Sequence, residues 1–211
     1  LLNDRAATWI ALAPGTQLRP LDLLRTGNAG WSRIVLEDGS VLVVGAASTI
    51  RLDQASFDPG RARVLFRLLE GRVRVVASHT FPGEGRFELE TPTAVVSVRG
   101  TRFIVIYDAD KAETQVLSQE GSVEVVGVLG VLGRPVEVRS GWQTVVRRGA
   151  FPAAPTEANP RVMAAAAAGL EPGVSADDTL LATFRVENTR AVLDAPPESS
   201  AATSEQKEIL T

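Results

Sequence analysis

The side chains able to exchange protons, hold a metal or attack a substrate are sparse in this chain and poorly clustered. The single histidine, His79, lies in the turn-rich stretch VASHTFPGEG, and there is no cysteine. Without a second imidazole or any thiol, a His- or thiolate-based metal site, a Ser-His-Asp triad, a Cys nucleophile and a disulfide framework all lack their parts. His79 therefore reads as a solvent-exposed loop residue. Asp108 and Asp110, in DADKAE, are a carboxylate pair with the chemistry for calcium or acid–base work, but their composition is that of a hairpin turn. Glu88 and Glu90 share one face of an alternating strand and read as solvated. The glycine pairs Gly27–Gly30 (GNAG) and Gly130–Gly133 (GVLG) are too short to cradle phosphate and open no helix. No zincin helix, nucleophile elbow or Walker loop occurs. Trp9, Trp31 and Trp142 could stack on sugar rings if exposed on one face. Each is embedded in apolar alternation and reads as core or rim packing. The expectation is a non-enzyme, with no catalytic, cofactor or metal set.

The totals narrow the class further. The chain has 211 residues and 45% hydrophobic residues, enough for a core, yet only 5% are aromatic. Val, Leu and Ala dominate, with 18 glycines, a composition suited to many short strands and tight turns. A net charge of −3 argues against nucleic acid as a partner, since phosphate binding demands a basic excess or face. The local arginines at 61–63, 72–74 and 147–148 alternate with other types and read as solvent-facing strand positions. No run of about 18 apolar residues exists to span a membrane. The chain begins at Leu1 and not at Met, so an upstream segment is expected, where a signal peptide or anchor could sit.

Alternation places the elements. Residues 1–28 read as a lead-in with a short strand at 16–18. Residues 29–149 read as a β core, 150–160 as a Pro-rich linker, 161–194 as a short helical and extended segment (helix at 161–170, apolar stretch at 179–186), and 195–211 as a disordered tail. Within the core, hairpins are expected for 31–36 with 40–44, and for 63–69 with 72–77 around Glu70-Gly71. Further strands are expected at 49–53, 86–90, 94–98, 101–107, 113–118, 122–126, 135–139 and 143–147. The phrase acid-Gly-x-Val-x-Val-Val recurs as EDGSVLVVG, EGRVRVVA and EGSVEVVG, with SGWQTVV a weaker copy. Its irregular spacing excludes a strict repeat array, and its glycine suits a hairpin turn or bulge at a strand entry. The expected fold is all-β: two packed antiparallel sheets, jelly-roll or sandwich-like or β-solenoid-like, with a helical or disordered C-terminal tail.

The most unusual segment is ETPTAVVSVRGTRFIVIYD. Pro92 bends the chain before a Val strand, and Thr91 and Thr93 can bond locally to backbone. Arg99, Gly100 and Thr101 interrupt an apolar run that resumes at Phe103. Gly100 can form a bulge or corner, and Arg99 must reach solvent or be paired. Arg99 reads as stapling carbonyls or a carboxylate at a sheet corner.

TPTAVVSVRGTRFIV resembles the signature of the FecR domain family. The similarity extends upstream through RTGNAGWSRIVLEDGSV and LLEGRVRVV, and downstream through TQVLSQEGSVEVV and RSGWQTVV, covering residues 16–148. The resemblance implies a periplasmic, secreted or cell-envelope β domain for sensing or interaction, with a protein or peptide partner. It points to Thr91, Pro92, Thr93, Arg99, Gly100, Thr101 and Phe103 as structural motif residues and candidate partner contacts. The alternative is a carbohydrate- or peptidoglycan-binding envelope module, which requires exposed aromatics with nearby carboxylates. Family regulators carry a cytoplasmic anti-sigma segment and a membrane span before this domain, and a receptor-contacting domain after it; none of these reads in this sequence.

Overall fold

The computed structural model describes residues 9, 11–58, 61–78, 85–98, 100–128, 135–170 and, as backbone alone, 185–187. His79, Arg99, Gly130–Gly133 and the tail from 195 lie outside the described residues.

The strands are β1 (Thr16–Gln17), β2 (Leu23–Arg25), β3 (Ser32–Val35), β4 (Val41–Val44), β5 (Thr49–Ser56), β6 (Arg63–Val76), β7 (Arg86–Glu90), β8 (Ala94–Val98), β9 (Arg102–Asp108), β10 (Glu113–Glu120), β11 (Ser122–Gly127), β12 (Val136–Arg139), β13 (Trp142–Arg147), β14 (Thr156–Glu157) and β15 (Arg185–Glu187). Among the described residues one short helix, α1, covers Pro160–Ala167. The Val-rich alternation of the sequence sets these strands, because branched side chains pack well on a half-buried pleat.

The all-β expectation holds, but not as two separate sheets. Among the described residues, all fifteen strands belong to one hydrogen-bonded sheet. It has a wide section, ordered β1-β15-β3-β4-β6-β9-β10-β13-β14, and a narrow section, ordered β2-β5-β6-β7-β8-β11-β12. Strand β6 belongs to both. Residues 63–70 pair with β5, and 63–67 of them also with β7, whereas residues 71–76 pair with β9, and 73–76 of them also with β4. The sheet curls at this strand so that both sections face one core, which includes Phe66, Phe87, Leu89, Val96, Phe103, Val105 and Val116, each at 0% exposure. Each such fully buried side chain contributes roughly 1.5–3 kcal/mol.

The hairpin expected around Glu70-Gly71 is absent; β6 continues through it without reversing, for 14 residues in all. The reversal falls instead between Ser56 and Arg63, where Ser56 Oγ donates to Asp58 and Arg61 N donates to Asp58 O. Both arms of this long hairpin, β4–β5 and β6, then fold together over a corner. Gly71, at φ +88°, makes the bend. The inward residues change phase there, from Val64, Phe66 and Leu68 to Val73 and Val75. A slip of one residue keeps the apolar face inside as the strand turns.

A second corner sits at the other end of the wide section. Gly71 pairs with Tyr107, whereas Val76, at the far end, pairs with Arg102. At that far end Gly100, Gly121 and Gly141, all at positive φ, pass β8 into β9, β10 into β11 and β12 into β13. Three of the four recurring glycines of the sequence are therefore corner residues; only Gly39 turns a hairpin, between β3 and β4. The two corners also explain the one parallel pairing among the described residues. β6 and β8 enter the wide section from opposite ends, so they run oppositely in the narrow one. β7, the antiparallel hairpin partner of β8, must lie parallel to β6.

Candidate functional site

Thr91-Pro92-Thr93 forms the tight turn between β7 and β8. Thr91 N donates to Ala94 O at 2.8 Å, and Ala94 N donates back to Thr91 Oγ1 at 2.9 Å. Pro92, having no N–H to give, sits at the exposed tip. Both threonines are buried, and their hydroxyls converge on that of Thr114 in β10, at 2.7 Å from Thr91 and 2.5 Å from Thr93. The turn of the narrow section is thereby tied to the wide section through three hydroxyls. Thr114 had no distinguishing signal in the sequence, where it is one more β-former in an alternating strand.

Gly100 (φ +66°) and Thr101 form the following corner. Thr101 O accepts from Ala77 N at 2.9 Å, and its side chain is buried against Gly121. Thr101 Oγ1 has no hydrogen-bond partner among the described residues. Phe103 points into the core. The motif residues thus meet at two places: Thr91 and Thr93 at the β10 end, Gly100 and Thr101 at the opposite corner. The first corner is built alike. Thr26 Oγ1 donates to Gly45 O and accepts from Ser48 N, and Ser48 Oγ accepts from Arg72 N.

Two of the carboxylates that could do chemistry, Asp108 and Glu90, are committed to cations or backbone. Asp108 accepts from Lys111 N at 2.9 Å and Lys111 Nζ at 2.6 Å, and these bonds hold its carboxyl below the usual range. Glu90, read as solvated, instead meets Arg67 at 2.6 Å. Arg67 also reaches Asp53 at 3.3 Å, and Asp53 is hydrogen-bonded to Arg51. This network crosses β5, β6 and β7 on the outer face of the narrow section. The bond from Arg51 lowers the Asp53 pKa, outweighing partial burial. A depressed carboxyl stabilises the fold above its unfolded pKa of about 3.9 and loses that contribution as pH falls through the folded value. Asp53→Asn is thus expected to lower Tm at pH 7, by less than about 1 kcal/mol in stability for so open a pair. The gap from wild type should narrow in a melting series as pH falls from the unfolded pKa through the lower folded one; a gap independent of pH would refute the assignment.

No group of three His, Cys, Asp or Glu is placed to hold a metal among the described residues. A cleft of about 450 Å³ opens beside the starts of β7 and β11 and the end of β8, lined by Arg86, Ser97, Ser122 and Glu124 among others. Its lining offers hydroxyls and one carboxylate, with no imidazole or thiol among them. The tryptophans do not converge. Trp31 precedes β3 and Trp142 opens β13, with β4, β6, β9 and β10 between those strands in the sheet. Trp9 stacks on Arg25 at 6.0 Å.

The outer face of the wide section is apolar, and it is covered. Val43, Ile104 and Leu117, with Val41 and Ile106 at its rim, pack against Ala158, Met163, Ala166, Ala167 and Leu170. The preceding stretch runs along the edge of β13: Ala153 N donates to Val145 O, and Thr144 Oγ1 to Ala153 O. Asn159 caps α1 and Pro160 starts it. Arg72 and Arg74, read as solvent-facing, reach over to its C-terminal end and donate to Ala165 O and Leu170 O, both at 3.3 Å.

Among the described residues, no helix is long and apolar enough to cross a membrane. No curated protein matches the chain. Two crystal structures of a candidate anti-sigma factor from Parabacteroides distasonis share its fold, with TM-scores of 0.56 and 0.55 at 19% identity. Each match covers 69% of this chain and 63% or 64% of the other, so the chain spans less than two thirds of those proteins. The family model described as FecR protein matches residues 22–124, a span that holds the first corner, Gly100 and Gly121 of the second, the threonine turn and the Arg-Gly-Thr break. Over these residues, just under half of its length, the chain is similar to the FecR family.

Proposed function

We propose that the chain is an extracytoplasmic sensing and interaction domain that binds a protein or peptide partner in envelope signalling, without catalysis. The FecR match carries this reading. It is supported by a fold shared with a candidate anti-sigma factor. The site geometry agrees, because most polar groups of the motif bond inward at turns and corners. Recognition is then left to the sheet faces and edges, which suit a protein or an added strand. Periplasmic or secreted placement follows from the same family reading.

The test is capture from an envelope extract with the whole chain as bait. A specific protein should be retained; retention by glycan or peptidoglycan alone would overturn the reading. Arg99→Ala is expected to lower Tm by several degrees and leave capture unchanged, as a corner staple would. An unchanged Tm with lost capture would make Arg99 a contact residue.

A further inference from the structure

The match to the family ends at residue 124, yet the apolar outer face of the wide section is covered by a segment beyond it. That face carries Val41 and Val43 on β4, Ile104 and Ile106 on β9 and Leu117 on β10. We propose that it is a helix-docking site, that α1 is its exchangeable intramolecular occupant, and that a partner binds here with a short helix of small apolar residues by displacing α1. This rests on the reading that the chain binds a protein partner.

The geometry defines what fits. An eight-residue helix is too short to persist alone in water, so the sheet holds α1 in shape. The contact is made by Met163, Ala166 and Ala167 of α1 and by Leu170 just past its end, and the two alanines let the helix lie close. Room for Leu170 exists because position 45 is glycine; a Cβ there would lie 3.0 Å from Leu170 Cδ2 and 2.8 Å from Arg72 Cγ. Helix carbonyl ends attract cations, and α1 has no basic residue in its last turn. The sheet supplies them, as Arg72 and Arg74. A docking helix therefore needs an Ala, Met and Leu stripe and an uncharged C-terminal end. The occupant is lightly held. Its apolar anchors are few, whereas β9 and β10 lie in the middle of the sheet with ladders on both sides. Segments with few buried contacts open locally at a fraction of the global unfolding free energy.

The test uses the full chain. In native-state hydrogen exchange, amides of 163–170 are expected to exchange at least about 100-fold faster than those of β9 and β10. Equal protection would make α1 part of the cooperative core and overturn the proposal. A labelled peptide of residues 158–170 is then titrated onto wild type and onto Leu170→Asp, in which the occupant is repelled from the face. The peptide should bind the variant at least about tenfold more tightly, since in wild type the tethered segment competes. Equal binding, or none to either, overturns the proposal. Arg72→Ala, which leaves the core untouched, guards against misfolding of the first variant. It should speed exchange in 163–170 alone; no change there would overturn the role of the sheet arginines. Dimerisation of Leu170→Asp through the bared face would overturn the assignment to a foreign partner. Because the probe is this chain's own segment, these outcomes are separate from whether an envelope protein is captured.

Discussion

Gly71→Ala is expected to destabilise the protein by about 4 kcal/mol, far beyond what one methyl group ordinarily costs. The left-handed backbone at φ +88° accounts for roughly 1–2 kcal/mol of this. The rest comes from space: an added Cβ would lie 2.2 Å from Ser48 Oγ and 2.6 Å from Ser48 Cα. A hydroxyl can rotate away, but a backbone atom at the same corner cannot, so β6 and the β4–β5 arm must separate, at roughly 1–3 kcal/mol for such overpacking. Gly39→Ala is the control. It has a similar angle, φ +83°, and nothing within 4 Å of its Cβ, so it should cost about 1–2 kcal/mol for the backbone alone. At about 2–4 °C per kcal/mol for a chain of this size, calorimetry would separate the two variants clearly. Equal losses would show that the corner yields more readily than its packing implies.

Thr114→Val is expected to cost about 2–3 kcal/mol although it preserves shape and buries a methyl group more readily than a hydroxyl. Thr114 is at 0% exposure, and its hydroxyl lies between those of Thr91 and Thr93. With valine there, the Thr93 hydroxyl loses its neighbour in a site closed to water, whereas Thr91 keeps its bonds to Ala94. The cost is that of a stranded donor. Thr93→Val combined with Thr114→Val should therefore lose less than the sum of the two single losses, with a coupling of about 1 kcal/mol by chemical denaturation. Strict additivity would mean that the hydroxyls do not bond to one another.

What could be read from the sequence followed what is local. β7 and β8 begin and end where alternation places them, because each is a short run closed by a turn residue. The Glu70-Gly71 step was misread because a glycine after an acid has the same local signature in a hairpin and in a bend. Which one forms depends on partners: β4 and β5 lie beside the two halves of β6, and register between distant strands leaves no mark within either. Thr114 was missed for the same reason, since its partners are 21 and 23 residues away. Arg72 and Arg74 looked solvated because the segment they hold lies more than 90 residues on. The signature itself was visible, but its physical content, hydroxyls and glycines serving turns and corners, required the contacts.

Strand β6 has a consequence for how the domain comes apart. Among the described residues, every route through the ladder from the wide section to the narrow one passes along this single strand. The first part of the chain can pair β3 with β4, and the later part β7 with β8 or β9 with β10, by short loops that close quickly. None of these hairpins is an independent structure until β6 lies between β5 and β7 at one end and between β4 and β9 at the other. Loosening β6 therefore opens both sections at once. The domain should unfold in one cooperative step, with no stable half left to survive a cut through its middle.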